Sequence, residues 1–246
     1  MNSKYAAGFL ILGLFLAGAA CSEKTVDKVG DAQHCLDEYA QNGGGNLDEC
    51  ESKISGITTP GAYGIRCAIG YIREGFTTQT FVGAFQQIET VNASNVATFL
   101  NLLVFDVAGT TSSSNLNTNA AMAATVYDHC FQSQGKGATI LATFTYLINS
   151  LYKYECDRSM QANCDQTSAV NFASALANGI ALNTAVTVSF RTALGAVVVK
   201  THSLSCTSGE ANETLCDFLG RAITGAAIPN DPNEIGRRFL QVILTP

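Results

Sequence analysis

The stretch Ala138-Thr-Ile-Leu-Ala-Thr-Phe-Thr-Tyr-Leu-Ile-Asn-Ser-Leu-Tyr-Lys-Tyr154 carries Ile140, Leu141, Phe144, Leu147, Ile148 and Leu151 at steps of three and four. With 3.6 residues per turn, these side chains fall on one stripe. The run is longer than an ordinary strand, so the spacing predicts a helix with one buried face. Gly135-Lys-Gly137 separates it from a second predicted helix, Asn119–Gln132.

Toward the C-terminus, Glu155 to Thr167 reads as a polar loop holding Cys156 and Cys164, and Ser168–Asn178 as a helix. Ala185–Lys200 fits two patterns. Val186, Val188 and Phe190 alternate as in a strand, while Val186, Phe190, Leu194 and Val197 fit a helix face; length and context favour the helix. Thr207 to Glu210 has the form of a capping box before a helix with Leu215, Phe218, Leu219 and Ile223. Asp231-Pro-Asn-Glu234 opens the last helix, with Asp231 as cap, Pro232 at its first position and Ile235, Phe239, Val242 and Ile243 inward.

Toward the N-terminus, Gly109 to Thr118 is rich in Thr, Ser and Asn and reads as a long loop or internal boundary. Ser94–Asp106 reads as an amphipathic helix through Val96, Phe99, Leu100, Leu103 and Val104, and Thr78–Thr90 repeats the pattern with Phe81, Ala84, Phe85 and Ile88. Thr59-Pro60 reads as an N-cap followed by proline. The helix it opens places Ile65, Ile69 and Ile72 on one face and Tyr63, Cys67 and Tyr71 on another, with Gly75 as its stop. A helix apolar on two faces packs on both. Leu47–Ile54 and Asp31–Gln41 are two more helices, separated by Gly43-Gly44-Gly45, and Ser22 to Gly30 is a polar tether. The fold class is therefore all-α: antiparallel helical hairpins over 31–246 in one domain.

Cys35-Leu-Asp-Glu-Tyr39 recurs as Cys67-Ala-Ile-Gly-Tyr71, with Gly75 four residues further on. A small residue followed four on by Tyr resembles the first helix of a tetratricopeptide repeat, and the resemblance covers residues 31–90.

The first twenty residues have the layout of an export signal: Lys4, an apolar run from Ala6 to Leu16, then small residues to Ala20. The box Gly18-Ala19-Ala20-Cys21 resembles that of a bacterial lipoprotein, with Gly18 where that family usually carries Leu. The resemblance implies that Cys21 is lipidated and becomes the first mature residue. It also implies that Ser22, which is not Asp, directs the protein to the outer membrane, facing the periplasm or the cell surface. Two other readings stay open: cleavage after Ala19 or Ala20 to give a soluble secreted protein, or retention of Tyr5–Ser22 as an anchor.

There are nine cysteines. Setting Cys21 aside leaves an even set: Cys35, Cys50, Cys67, Cys130, Cys156, Cys164, Cys206 and Cys216. In an exported chain, an even set reads as a disulfide framework. Its connectivity is open; the nearest-neighbour expectation pairs Cys35–Cys50, Cys156–Cys164 and Cys206–Cys216, with Cys67–Cys130 as a long tie. His34-Cys35 and His129-Cys130 have zinc-ligand chemistry, but neighbours on a helix point about 100° apart. Disulfides are the expected fate of these thiols, and no metal site is expected.

Charged residues make up only 14% of the chain, against 47% hydrophobic, and the formal charge is −6. With Arg237-Arg238 as the one basic pair, nothing provides the concentrated positive charge that nucleic acid requires. No catalytic motif is present and no cofactor is expected. Asp37-Glu38 and Asp48-Glu49 read as solvated helix faces. The expected function is a non-enzymatic, lipid-anchored envelope scaffold that binds a protein or small ligand. Its alternative is a soluble secreted carrier with an enclosed apolar pocket.

Overall fold

A computed structural model describes residues 24–40, 45–76, 102–106, 113–159, 184–206 and 213–244. Among the described residues, every regular element is an α-helix. In chain order these are α1 (24–40), α2 (Leu47–Lys53), α3 (Pro60–Arg73), α4 (Ser113–Gln132), α5 (Lys136–Ser159), α6 (Thr184–Ser205), α7 (Glu213–Thr224) and α8 (Pro232–Leu244). The expected all-α class of antiparallel hairpins is the observed one.

Helix starts follow the local chemistry. The Asn46 side chain accepts from the Asp48 N–H at 3.0 Å to cap α2. Thr59 caps α3 with Pro60 behind it. Asp231 accepts from the Asn233 N–H at 2.9 Å at the head of α8. Gly75 ends the α3 region with φ +78°, a backbone state that glycine takes without strain.

α3 is the wall between two apolar clusters. Ile65 and Ile69 join Ala32, Leu36, Cys50 and Ile54 from α1 and α2. Cys67 and Tyr71 join the larger cluster formed by α4 to α8, whose centre includes Phe144, Leu147 and Ile148 of α5 and Phe239 of α8. The two-faced apolar pattern of this helix thus has a direct structural meaning.

The larger core also holds hydroxyls. Thr139, Thr143, Thr145 and Thr201 are fully buried. Thr143 and Thr145 donate to the carbonyls of Thr139 and Leu141 in their own helix. Thr143 and Thr201 then meet at 2.7 Å, and the Tyr71 hydroxyl meets Thr145 at 3.1 Å. Burial pushes the Tyr71 phenol well above the usual range. Thr143 opposite Thr201, and Ser205 donating to the Lys136 carbonyl at 3.1 Å, set α5 and α6 antiparallel.

Several boundaries differ from expectation. Residues 24–30, expected as tether, are helical, because Val29 packs against the first cluster and draws the helix N-terminally. Ser113 to Thr118, expected as loop or boundary, are the first turns of α4. There Leu116 is 1% exposed and in step with buried Ala120 and Ala123, so one face is apolar despite the polar composition. Glu155 to Ser159 continue α5 where a loop was expected.

The stretch expected to end a helix at Asp106 does not do so: 104–106 are non-helical. Asn149 Oδ1 accepts from the Phe105 N–H at 3.0 Å, and Asn119 Nδ2 donates to the Phe105 carbonyl at 2.5 Å. Side chains of α5 and α4 thereby replace the helical partners of this backbone. Most of Ser94–Asp106, the helices Thr78–Thr90 and Ser168–Asn178, and the capping box at Thr207 lie outside the described residues.

Candidate ligand-binding groove

On α3, Arg66, Gly70 and Arg73 are four and three residues apart and so share one face, distinct from the two apolar ones. The helix meets α4 in antiparallel sense. Cys67 is bonded to Cys130, and a Cβ on Gly70 would stand 2.4 Å from Val126 Cγ2. The missing side chain at Gly70 is what lets the two helices approach so closely. Beside this contact lies a groove of about 880 Å³ lined by residues of α3 and α4, with Glu51 of α2 also in its lining. That size is within the roughly 300–1,000 Å³ of small-molecule sites.

The α4 wall contributes Ala121, Met122, Thr125 and Val126 at its middle, His129 at one end and Ser114 near the other. Thr118 and Thr125 donate to the carbonyls of Ser114 and Ala121 at 3.1 and 3.0 Å. The hydroxyls are thereby turned toward their own helix.

The charged groups are held firmly. Arg73 pairs with Asp48 and, at 2.9 Å, with Glu51. Burial works against its charge, but the two carboxylates outweigh burial and hold the guanidinium above its usual range. Arg66 Nη1 and Nη2 donate to the carbonyls of Ile57 and Ile54 at 2.8 and 2.7 Å. The Arg66 guanidinium also lies 5.2 Å from the centre of the Tyr63 ring, a cation–π distance, and that ring is 6.0 Å from the His129 ring. Burial, and then the neighbouring Arg66 charge, lower the His129 pKa below the usual imidazole value.

No family model matches this chain, and no curated protein or solved structure matches it significantly.

Three of the expected cysteine pairs are present: Cys35–Cys50, Cys67–Cys130 and Cys206–Cys216. The thiols of both His-Cys dipeptides are thus consumed in disulfides and offer no thiolate to a metal. His34 sits on the outer face of α1 with Glu38 3.6 Å away, while His129 faces the groove. Among the described residues, no group of three His, Cys, Asp or Glu is placed to hold a metal ion. Cys156 lies in α5, and both Cys164 and the lipidation candidate Cys21 fall outside the described residues.

The sequence reading missed the groove. Its one local trace was the Arg66-Gly70-Arg73 row, a third, non-apolar face on a helix already apolar on two. Glu51 and His129, far away in sequence, complete it only in three dimensions.

Proposed function

We propose that this chain is a lipid-anchored cell-envelope protein without catalytic activity, whose helical body holds a ligand in the groove between α3 and α4. The groove itself carries this reading: an open cleft with an apolar strip on α4, charged side chains in its lining and a disulfide bracing one end. The hydroxyls of Thr118 and Thr125 bond to their own helix, and His129 adjoins a cation, an arrangement suited to binding more than to nucleophilic attack. Attachment through acyl chains on Cys21 rests on the Gly18-Ala19-Ala20-Cys21 box and on the even set of remaining cysteines. The Ser22 position favours the outer membrane by the same resemblance. No helix among the described residues is long and apolar enough to cross a membrane.

A soluble secreted carrier with an enclosed pocket is the alternative; the open form of the groove favours the scaffold. Two mass measurements test the proposal. The intact mass of the membrane-extracted protein is expected to show a lipid-sized increment that Cys21→Ser removes. Native mass spectrometry is expected to show a bound species that is lost in Ala121→Trp, a change at an exposed groove position. A bare mature mass would sink the anchor, and an empty wild-type groove would sink the binding role.

A further inference from the structure

We propose that the groove takes a single-chain amphiphile with an anionic head, the head on Arg66 and the chain along the cleft between α3 and α4. This rests on reading the groove as a binding site, and it names the class of ligand.

The two arginines of the groove are not equivalent. Arg73 already has the carboxylates of Asp48 and Glu51 beside it, so its charge is matched within the fold. No carboxylate of the described residues is paired with Arg66, although Glu51 lines the same groove; its direct partners are the Ile54 and Ile57 carbonyls and the Tyr63 ring. Carbonyl dipoles orient a guanidinium without cancelling its charge. A guanidinium has several further N–H donors in a fixed plane, so this one is pre-organised for a carboxylate or phosphate. His129 flanks the same end and adds a ring nitrogen within the groove.

Away from Arg66 an apolar strip follows on α4, with the charged Arg73 and Glu51 opposite it and the polar Ser114, Asn117 and Thr118 beyond it. Gly70 presents no side chain, and Val126, Met122 and Ala121 follow along α4. The apolar strip from Val126 to Ala121 is about 7.5 Å long at 1.5 Å per residue, and Thr118, Asn117 and Ser114 give the far end of the α4 wall its polar groups. Met122 is unbranched and adapts to an irregular chain. A small hydrophilic anion would leave this wall wet, and an uncharged chain would cover Arg66 without giving it a counter-ion, which is costly. An amphiphilic anion satisfies both ends. A free fatty acid and the phosphate of a one-chain lipid share this chemistry.

The test uses the full chain carrying Cys21→Ser, so that acyl chains of its own do not compete. Calorimetry below micellar concentrations compares dodecanoate, lysophosphatidylglycerol, dodecyltrimethylammonium and dodecyl maltoside. At least one of the two anions is expected to bind at least tenfold more tightly than the cationic and neutral probes. Dodecanoate alone points to a free fatty acid, and lysophosphatidylglycerol, alone or as well, points to a lipid head. Arg66→Gln is expected to weaken the anion at least tenfold, Arg73→Gln less than threefold, and Ala121→Trp to abolish binding.

Equal binding of all four probes, equal losses in the two arginine variants, or unchanged binding in Ala121→Trp would each overturn the proposal. Should Arg66→Gln fail to fold for want of its carbonyl contacts, Arg66→Lys is expected to keep the charge preference, and its loss there would count against the proposal. If neither anion binds while native mass spectrometry still shows a species lost in Ala121→Trp, the ligand class fails and the groove remains a binding site.

Discussion

Gly195 of α6 and Gly236 of α8 face each other where the two helices cross. A Cβ on Gly195 would lie 1.9 Å from the Pro232 carbonyl oxygen, and one on Gly236 would lie 2.0 Å from the Arg191 carbonyl oxygen. Each helix presses its backbone into the space that the other's missing side chain leaves. The obstacle on both sides is backbone and cannot rotate away. Gly195→Ala and Gly236→Ala are each expected to destabilise the protein by about 3 kcal/mol, the upper part of the overpacking range. Gly30→Ala is the control: nothing lies within 4 Å of that Cβ on α1, so a gain of about 0.5–1 kcal/mol is expected. Urea unfolding midpoints of the three variants check the contrast, and a neutral Gly236→Ala would show that the helices can part cheaply.

Asn149 holds the non-helical segment at Phe105 in place. It is 2% exposed; its Oδ1 accepts from the Phe105 N–H, and its Nδ2 donates to the Leu103 and Thr145 carbonyls. Asn149→Leu keeps the volume but strands a buried N–H and a buried carbonyl. The expected cost is about 3 kcal/mol, since each unsatisfied group costs about 1–3 kcal/mol. Hydrogen exchange at Phe105 is expected to accelerate beyond what the global loss explains. A uniform change across all amides would instead mean that Asn149 only fills space.

The three disulfides close chain loops of different length. The separations are 63 residues for Cys67–Cys130, 15 for Cys35–Cys50 and 10 for Cys206–Cys216. Loop-closure entropy predicts losses of about 4 kcal/mol for the first and about 3 kcal/mol for each of the others when both cysteines become alanine. Cys67 and Cys130 are also buried at the α3–α4 contact, so their removal is expected to weaken ligand retention in the groove. Denaturation of the three double-alanine variants tests the order; the largest loss in Cys206→Ala/Cys216→Ala would contradict it.

His129 makes stability depend on pH. Burial and Arg66 hold its folded pKa below the unfolded value of about 6.5. Between these two values the unfolded chain binds more protons than the folded one, so stability rises with pH. Its contribution is complete above about pH 6.5 and is lost as pH falls through the lowered folded pKa. His129→Gln is expected to flatten this part of the profile between pH 7.5 and 5 while leaving the acid limb due to carboxylates. The check is the urea midpoint as a function of pH, and an identical slope in the variant would assign the effect elsewhere.

Short-range chemistry was legible in the chain. Thr59-Pro60 and Asp231-Pro232 mark helix starts because a cap and a φ-restricted residue act on neighbouring backbone. The stripe from Ile140 to Leu151 and the two faces of α3 are legible for the same reason: periodicity decides which side is buried. The Cys35–Cys50 and Cys206–Cys216 pairs follow from thiols close along the chain.

What the sequence by itself determined is the all-α class and most helix centres; it left the disulfide connectivity open, and the structure shows three of the nearest-neighbour pairs that were expected. Only the tertiary structure decided where Ser113–Thr118 and Glu155–Ser159 belong, that Phe105 leaves the helical pattern, and that Arg66, Glu51 and His129 share a groove. Helix ends and polar stretches have weak local preferences, so distant partners settle them. Asn149 claims the Phe105 backbone from 44 residues away, and Gly70 admits Val126 from a helix that begins 43 residues later. A groove between helices exists only once their packing is set.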